Sequence, residues 1–456
     1  MPKIPYGPTY DEMLNPSHQD PDVRMQAIKA LKINEFDPIN LFNITWKNEN
    51  NDVNKIVLPR KLTGVDANII VMLGKYFPSG SHKVGPAYST LIEGCIDGDI
   101  IPGKHTILGA STGNFGIGVS YIANLMKYDS VVVMPNNMSK ERYERIKKYG
   151  AKLDLIEGSD SGIISTLERS YELVKNPKNK LLAQFELLPN YRFHRYVTGN
   201  SAIEAVKGIG NERISCFCSA PGSGGTLGAG DGIKAVFPEC KIVALEPREC
   251  ATLSNGCLGH HRIEGVGDKM IALIHNILNT DYVAQISDND CVRGLAVIHE
   301  GTKILEKHGI SREIAKSMVD LFGVSGICNI LGAIKMAKYF KLGSNDNIVT
   351  IATDSFDRYP SVIEDLHKRE NVINDEILDK WFNDIFLKVD TSYILDTRSK
   401  EKKEMLFKKK ENDWLKYGYN KEYLESMKNA QFWEKEYSKV FEYDKKILKM
   451  REKEFE

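Results

Sequence analysis

The chain has 456 residues, with 61 Lys plus Arg against 61 Asp plus Glu, 42% hydrophobic residues and eight cysteines. At roughly 100 to 200 residues per domain, this is enough for two or three domains with a substantial core, which excludes a disordered or staple-dependent chain. The zero formal net charge lacks the cationic excess needed to neutralise a phosphate backbone, so nucleic acid is not an expected partner.

The opening Met-Pro-Lys-Ile-Pro-Tyr-Gly-Pro has neither the basic stretch nor the apolar core of a secretion signal. No run approaches the roughly 18 apolar residues of a membrane span. A soluble, cytoplasmic protein without membrane contact is expected. Residues 1–45 read as an arm broken by proline and asparagine, with one helical piece near 21–33. Apolar runs then alternate with amphipathic stretches, the pattern of a parallel sheet covered by helices, so the class is α/β. Strands are expected at 68–73, 105–108, 130–134, 152–156, 214–218, 241–246 and 347–352. Helices are expected between them at 116–127, 139–149, 161–175 and 326–340.

Residues 46–371 form the main body on this reading, and 372–456 a charged, aromatic-rich addition. From 399 onward about half the residues are charged. Trp414, Tyr417, Tyr423, Phe432, Trp433, Tyr437 and Phe441 recur there at helical spacing, which predicts one or two amphipathic helices laying an aromatic stripe on the body or on a second subunit. The cysteines form no CxxC pair and no Cys/His spacing of the zinc kind. They are expected as reduced thiols packed in the core, with no metal site.

Two glycine loops follow expected strands and open expected helices: Gly109-Ala110-Ser111-Thr112-Gly113-Asn114-Phe115-Gly116 and Ser219-Ala220-Pro221-Gly222-Ser223-Gly224-Gly225-Thr226. Backbone amides at a helix start cradle an anion, and glycine lets it approach closely. A dinucleotide fold would also need an acidic residue ending the next strand, where this chain has Pro135-Asn136-Asn137. Neither loop carries the Gly-Lys-Ser/Thr of a nucleotide P-loop.

Further motifs narrow the reading. Pro78-Ser79-Gly80-Ser81-His82-Lys83, the Ser111–Gly116 loop, Met134-Pro135 with Met138-Ser139-Lys140-Glu141-Arg142, Gln184-Phe185 with Asn190 and His194, Gly222–Thr226, Glu264-Gly265-Val266-Gly267, and Thr353-Asp354-Ser355 with Tyr359 occur in this order. Together they resemble the fold type II pyridoxal phosphate enzymes, most of all the cysteine synthase and cystathionine β-synthase branch. The likeness runs from about Ile69 to Asp365. The Ser-His-Lys variant is also similar to the tryptophan synthase β subunit.

The resemblance implies two open twisted α/β subdomains with pyridoxal 5'-phosphate between them, the smaller near 84–190 inserted in the larger, plus a helical extension. It implies that Lys83 holds the cofactor as a Schiff base and then removes the α-proton. Asn114 would meet the cofactor's 3'-oxygen, a plain helix cap being its alternative. Gly222, Ser223, Gly224, Gly225 and Thr226 would wrap the phosphate. Ser325 would face the pyridine nitrogen, with Ser355 or Thr353 as alternatives, and Ser111, Thr112 and Gln184 would hold the substrate carboxylate.

Two positions depart from the family pattern. Phe115 stands where relatives carry a threonine. Asp268 stands where they carry a small or aromatic residue, and is either a catalytic acid/base or a surface partner of Arg262 or Lys269. The implied activity is β-elimination or β-replacement on O-acetylserine, serine or cysteine through an aminoacrylate, with sulfide, a thiol or water as second substrate, in a homodimer. A serine or threonine ammonia-lyase and a non-catalytic assembly protein working through its C-terminal helices are the alternatives.

Overall fold

The computed structural model describes residues 7–111, 113–157, 163–370 and 372–455. Two sheets organise it. The larger has the strand order β1-β2-β10-β7-β8-β9-β11, built from β1 Lys55–Val57, β2 Asn68–Leu73, β7 Ile214–Ser219, β8 Lys241–Pro247, β9 Tyr282–Ile286, β10 Asn347–Ala352 and β11 Ile394–Asp396. Its two edge strands are antiparallel to their neighbours and the five between them run parallel. The smaller sheet is fully parallel in the order β5-β4-β3-β6. Its strands are β3 Thr106–Ala110, β4 Ser130–Pro135, β5 Lys152–Ile156 and β6 Asn179–Leu181.

The central strands are legible because both their faces are covered. All of β10 is buried, as are Cys216, Phe217 and Cys218 in β7, so the sequence there is largely apolar rather than alternating, and the buried Thr350 donates to the Cys218 carbonyl. β2, β5 and β10 have the expected limits, β4, β7 and β8 start where expected and end one residue later, and β3 is displaced by one residue at its start and two at its end. β1, β6, β9 and β11 were not expected. Three of them have three residues each, too few to show a period.

The expected core packing of the cysteines needs correction. Cys257 is exposed and Cys95 half-buried, while Cys216, Cys218, Cys240, Cys250, Cys291 and Cys328 are buried. Among the described residues no helix is long and apolar enough to cross a membrane.

The C-terminal region holds three helices rather than one or two from residue 400 on, Lys400–Leu415, Lys421–Ser426 and Ala430–Phe455. In the last, Trp433, Glu436, Val440, Tyr443 and Ile447 are buried, a spacing of alternating three and four residues that makes one inward stripe. Phe441 lies outside it, exposed, against the expected aromatic stripe. Glu436 accepts from Arg192 Nη1 at 2.7 Å, which pairs the one acid in the stripe.

Lys410 is buried and donates from Nζ to the His275 carbonyl at 3.0 Å. Burial pushes its ammonium from 10.5 down to about 7. The unfolded chain therefore binds the extra proton between those values, and the stability this group contributes rises with pH across that window. Urea unfolding at pH 7 and pH 10 should show a smaller pH increment in Lys410→Met than in the parent. Equal increments would show that the ammonium is not buried.

Candidate active site

Lys83 immediately precedes the helix Val84–Ile96. That helix is mostly apolar and buries Val84, Ala87, Tyr88, Leu91 and Ile92 in the core, which carries its N-terminal lysine inside. The ammonium lies 3.5 Å from Ser223 Oγ in a cavity lined also by Ser111, Asn114, Gln184, Thr226, Ser325 and Asp268. Burial pushes Lys83 down to about 8, opposed by the charge of Asp268. Burial likewise pushes Asp268 up to about 7, opposed by Lys83.

The residue Asp268 is partly exposed at the mouth of the cavity, but its Oδ2 is sealed from solvent without a hydrogen-bond partner. Arg262 is committed elsewhere, with Nε 3.2 Å from Asp288 Oδ2. The surface pairing of Asp268 with Arg262 is therefore corrected.

The second glycine loop runs from the end of β7 into the helix Gly225–Val236. Three of its glycines are demanded by close neighbours. A Cβ on Gly222 would stand 2.3 Å from the Gly265 carbonyl oxygen, and one on Gly225 would stand 2.2 Å from Asn190 Oδ1. Gly224 adopts φ +82° with His275 against it, a left-handed conformation that favours glycine. Asn329 accepts from the Ala220 amide at 2.8 Å and donates to the Ile351 carbonyl at 2.7 Å, so the loop is fixed at its start. Asn190 Nδ2 donates to Ser223 Oγ at 2.8 Å, and Ser219 Oγ donates to Thr226 Oγ1 at 2.9 Å.

The other candidate residues converge on the same cavity. Ser111 Oγ accepts from the Gly113 amide at 3.0 Å, and Gln184 Nε2 donates to the Ala110 carbonyl at 3.0 Å. Thr112 lies outside the described residues. Ser325 sits in the first turn of the helix Val324–Phe340 and lines the cavity with Thr353, whereas Ser355 donates to Asp357 at 2.8 Å. Phe115 is buried and forms part of the wall.

A charged network not given a role from sequence joins the two sheets behind Asn114. Asn114 Nδ2 donates to Asp354 Oδ2 at 2.6 Å, Tyr359 donates to the same oxygen at 2.9 Å, and Arg142 Nη2 donates to the Tyr359 hydroxyl at 2.9 Å. Arg142 Nε lies 2.6 Å from Glu264 Oε2. Burial alone would lower the Arg142 guanidinium, but Glu264, Tyr359 and Asp354 hold it above its ordinary value. The signal was present in the sequence as the arginine of the Met-Ser-Lys-Glu-Arg motif and the neighbouring Gly113, where a Cβ would stand 1.7 Å from Arg142 Nη1.

These residues fit pyridoxal phosphate. A helix-opening loop of backbone amides suits its phosphate, and a buried amine of lowered pKa suits its aldehyde. The buried polar atoms left without partners include Asn114 Oδ1, Asn190 Oδ1 and Asp268 Oδ2, all belonging to residues on or beside this cavity. An unpaired buried polar atom is costly unless a ligand satisfies it.

A two-sheet α/β protein with an inward lysine opposite an anion cradle defines a class: enzymes that activate amines through a phosphorylated aldehyde. The family comparison makes this specific. The model for the pyridoxal-phosphate dependent enzyme family matches residues 55–354, and the chain belongs to that family. Cysteine synthase of Staphylococcus aureus (strain Mu50 / ATCC 700699) is 30% identical over 296 residues, covering 65% of this chain and 88% of that protein.

Among solved structures, O-acetyl serine sulfhydrylase isoform 3 from Entamoeba histolytica matches with TM-score 0.60 and 27% identity over 73% of this chain and 93% of its own. A hydrogen sulfide-producing enzyme from Fusobacterium nucleatum matches with TM-score 0.57 and 28% identity over 72% and 91%. The protein is accordingly a pyridoxal-phosphate-dependent enzyme acting at the β-carbon of an amino acid.

Proposed function

We propose that the enzyme expels the β-substituent of O-acetylserine, serine or cysteine and delivers sulfide, a thiol or water in its place, or releases the product of elimination. The observation carrying this reading is that Lys83 and Asp268 line one cavity and each shifts the other's ionisation. Pyridoxal phosphate supplies an electron sink for the negative charge left at the α-carbon. Gly222–Thr226 would hold its phosphate, Asn114 its ring oxygen and Ser325 its ring nitrogen. Ser325 would offer that nitrogen a neutral hydroxyl rather than a carboxylate.

Ser111, Thr112 and Gln184 orient the substrate carboxylate, and Lys83 Nζ takes the α-proton. Asp268 gives a proton to a leaving thiolate or takes one from an incoming thiol or water. Phe115 replaces a hydrogen-bonding wall by an apolar one, which suits substituents larger than a hydroxyl. The homodimer and the cytoplasmic setting implied by the resemblance belong to this proposal, and sedimentation tests the first.

The role of Asp268 has a pH signature. Its carboxyl is pushed up to about 7, so it keeps its proton below that pH and loses it above. Sulfide release from cysteine should decline as pH rises through about 7. Asp268→Asn should slow release roughly 100-fold and remove that limb from the kcat profile. Unchanged rate and profile would refute proton delivery by Asp268.

A further inference from the structure

The Staphylococcus aureus cysteine synthase matches 65% of this chain and the family match ends at residue 354, so the three C-terminal helices lie beyond it. They are nonetheless joined to the cavity's walls. A third apolar core consists of Ala110, Ile163, Leu167, Phe185, Tyr191, Met270, Ala272, Leu273 and Ile274 from the body, together with Trp414, Leu424, Met427 and Trp433 from the extension. Ala110 ends β3, beside Ser111. Phe185 follows Gln184, and Met270–Ile274 follow Asp268. The extension therefore packs against both of these segments of the cavity wall, which also meet each other through the Ile274 amide and the Phe185 carbonyl at 3.3 Å.

Polar contacts fix the register of this packing at both walls. On the Asp268 side, Trp414 Nε1 donates to the Ile271 carbonyl at 2.7 Å and Asp413 Oδ2 accepts from the Ile271 amide at 3.1 Å. Lys410 binds the His275 carbonyl and Lys403 the Ile277 carbonyl, at 3.0 and 2.6 Å. His275 in turn packs against Gly224 of the phosphate cradle. On the Gln184 side, Tyr419 donates to Glu186 Oε2 at 2.7 Å, while Tyr171 donates to the other carboxylate oxygen at 2.6 Å.

Segment 251–275 contains no helix or strand of its own. A loop of this length in a compact body keeps one conformation only if side chains or neighbouring elements satisfy its backbone. Here the helix Lys400–Leu415 partners the Ile271 amide and carbonyl and the His275 carbonyl.

We propose that the C-terminal helices are an internal brace that holds the Asp268 and Gln184 walls at the separation the reaction needs, with Trp414 and Tyr419 as positioning residues. None of their side chains lines the cavity, so they act through Ile271 and Glu186. The proposal rests on the preceding functional reading only in naming these segments as the walls of the reaction site.

The test uses full-length Tyr419→Phe, which retains the ring and removes the hydroxyl donor, and Trp414→Phe, which removes the indole N–H together with part of the buried ring. Amide hydrogen exchange is followed with and without pyridoxal phosphate, beside kcat and KM for cysteine. Tyr419→Phe should raise exchange across 183–187 about tenfold, the change one lost hydrogen bond produces, and Trp414→Phe should raise it across 264–275 by at least that much, because buried ring volume is lost as well. Exchange in the helix Val84–Ile96 should not move, and kcat should fall with little change in KM. Exchange that is unchanged in both segments, or raised evenly along the chain, would overturn the brace. If Trp414→Phe does not fold, Tyr419→Phe decides by the same criteria at its own segment. Exchange is read whether or not cysteine turns over, so a wrong substrate assignment and a wrong brace give different results.

Discussion

Lys83→Ala is expected to lower kcat by about 10³- to 10⁴-fold, the range lost when a single group is both attachment point and proton acceptor. It is expected to do so without unfolding the protein. The side chain is buried and its ammonium carries a desolvation penalty that lowers it to about 8, so removing it relieves a cost in the folded state. Its backbone lies at φ −62° and ψ −15°, which alanine adopts freely. Active sites commonly trade stability in this way. A further change should accompany the loss: with Lys83 gone, the charge that holds Asp268 down is absent and its pKa should climb above about 7. Rapid-quench kinetics with urea unfolding of the same preparation checks both parts. Retention of more than a few percent of kcat would remove Lys83 from the chemistry.

The second large effect is expected at a residue that does not line the cavity. Arg142 is fully buried, with Glu264 2.6 Å away and Asp354 3.9 Å away. Arg142→Leu leaves two buried carboxylates without their cation, and breaking such a pairing costs about 3 to 5 kcal/mol. The cost should shrink as pH falls, because Glu264, already raised by burial, becomes protonated and no longer needs a partner. Asp354 also orients Asn114, so cofactor affinity should fall beyond the stability loss. Urea unfolding at pH 7 and pH 5 measures the first effect and titration with pyridoxal phosphate the second. A change below about 1 kcal/mol, as for an exposed ion pair, would mean that the network does not join the sheets energetically.

These two residues also mark what sequence could and could not reveal. Lys83 was readable because its surroundings are local: small residues before it, an apolar helix after it and glycine loops in recognisable order. The central strands were readable because largely apolar runs reflect burial on both faces, as in β7 and β10. Arg142 was visible only as part of a motif, since its function arises from Glu264, Asp354 and Tyr359, brought to it from elements more than a hundred residues away. Asp268 was ambiguous for the same reason. Its inward setting depends on the close approach of Gly222 to the Gly265 carbonyl, a contact between two loops that no local pattern encodes.

The extension was half readable. Its helices follow from charge and aromatic spacing, but the inward stripe includes Glu436 and leaves out Phe441, because Arg192 supplies a partner for one and no core lies over the other. Strands of three residues such as β11 exist because a neighbour, here β9, offers an edge; their own sequence does not demand them.

The most direct test of the whole account is to saturate the purified protein with pyridoxal phosphate and supply cysteine, serine, O-acetylserine and threonine, each with and without a thiol, identifying products by mass. Cysteine or O-acetylserine should lose its β-substituent, giving a thioether amino acid when thiol is present and pyruvate with ammonia when it is absent. Recovery of every amino acid unchanged, or products altered only at the α-carbon, would contradict it.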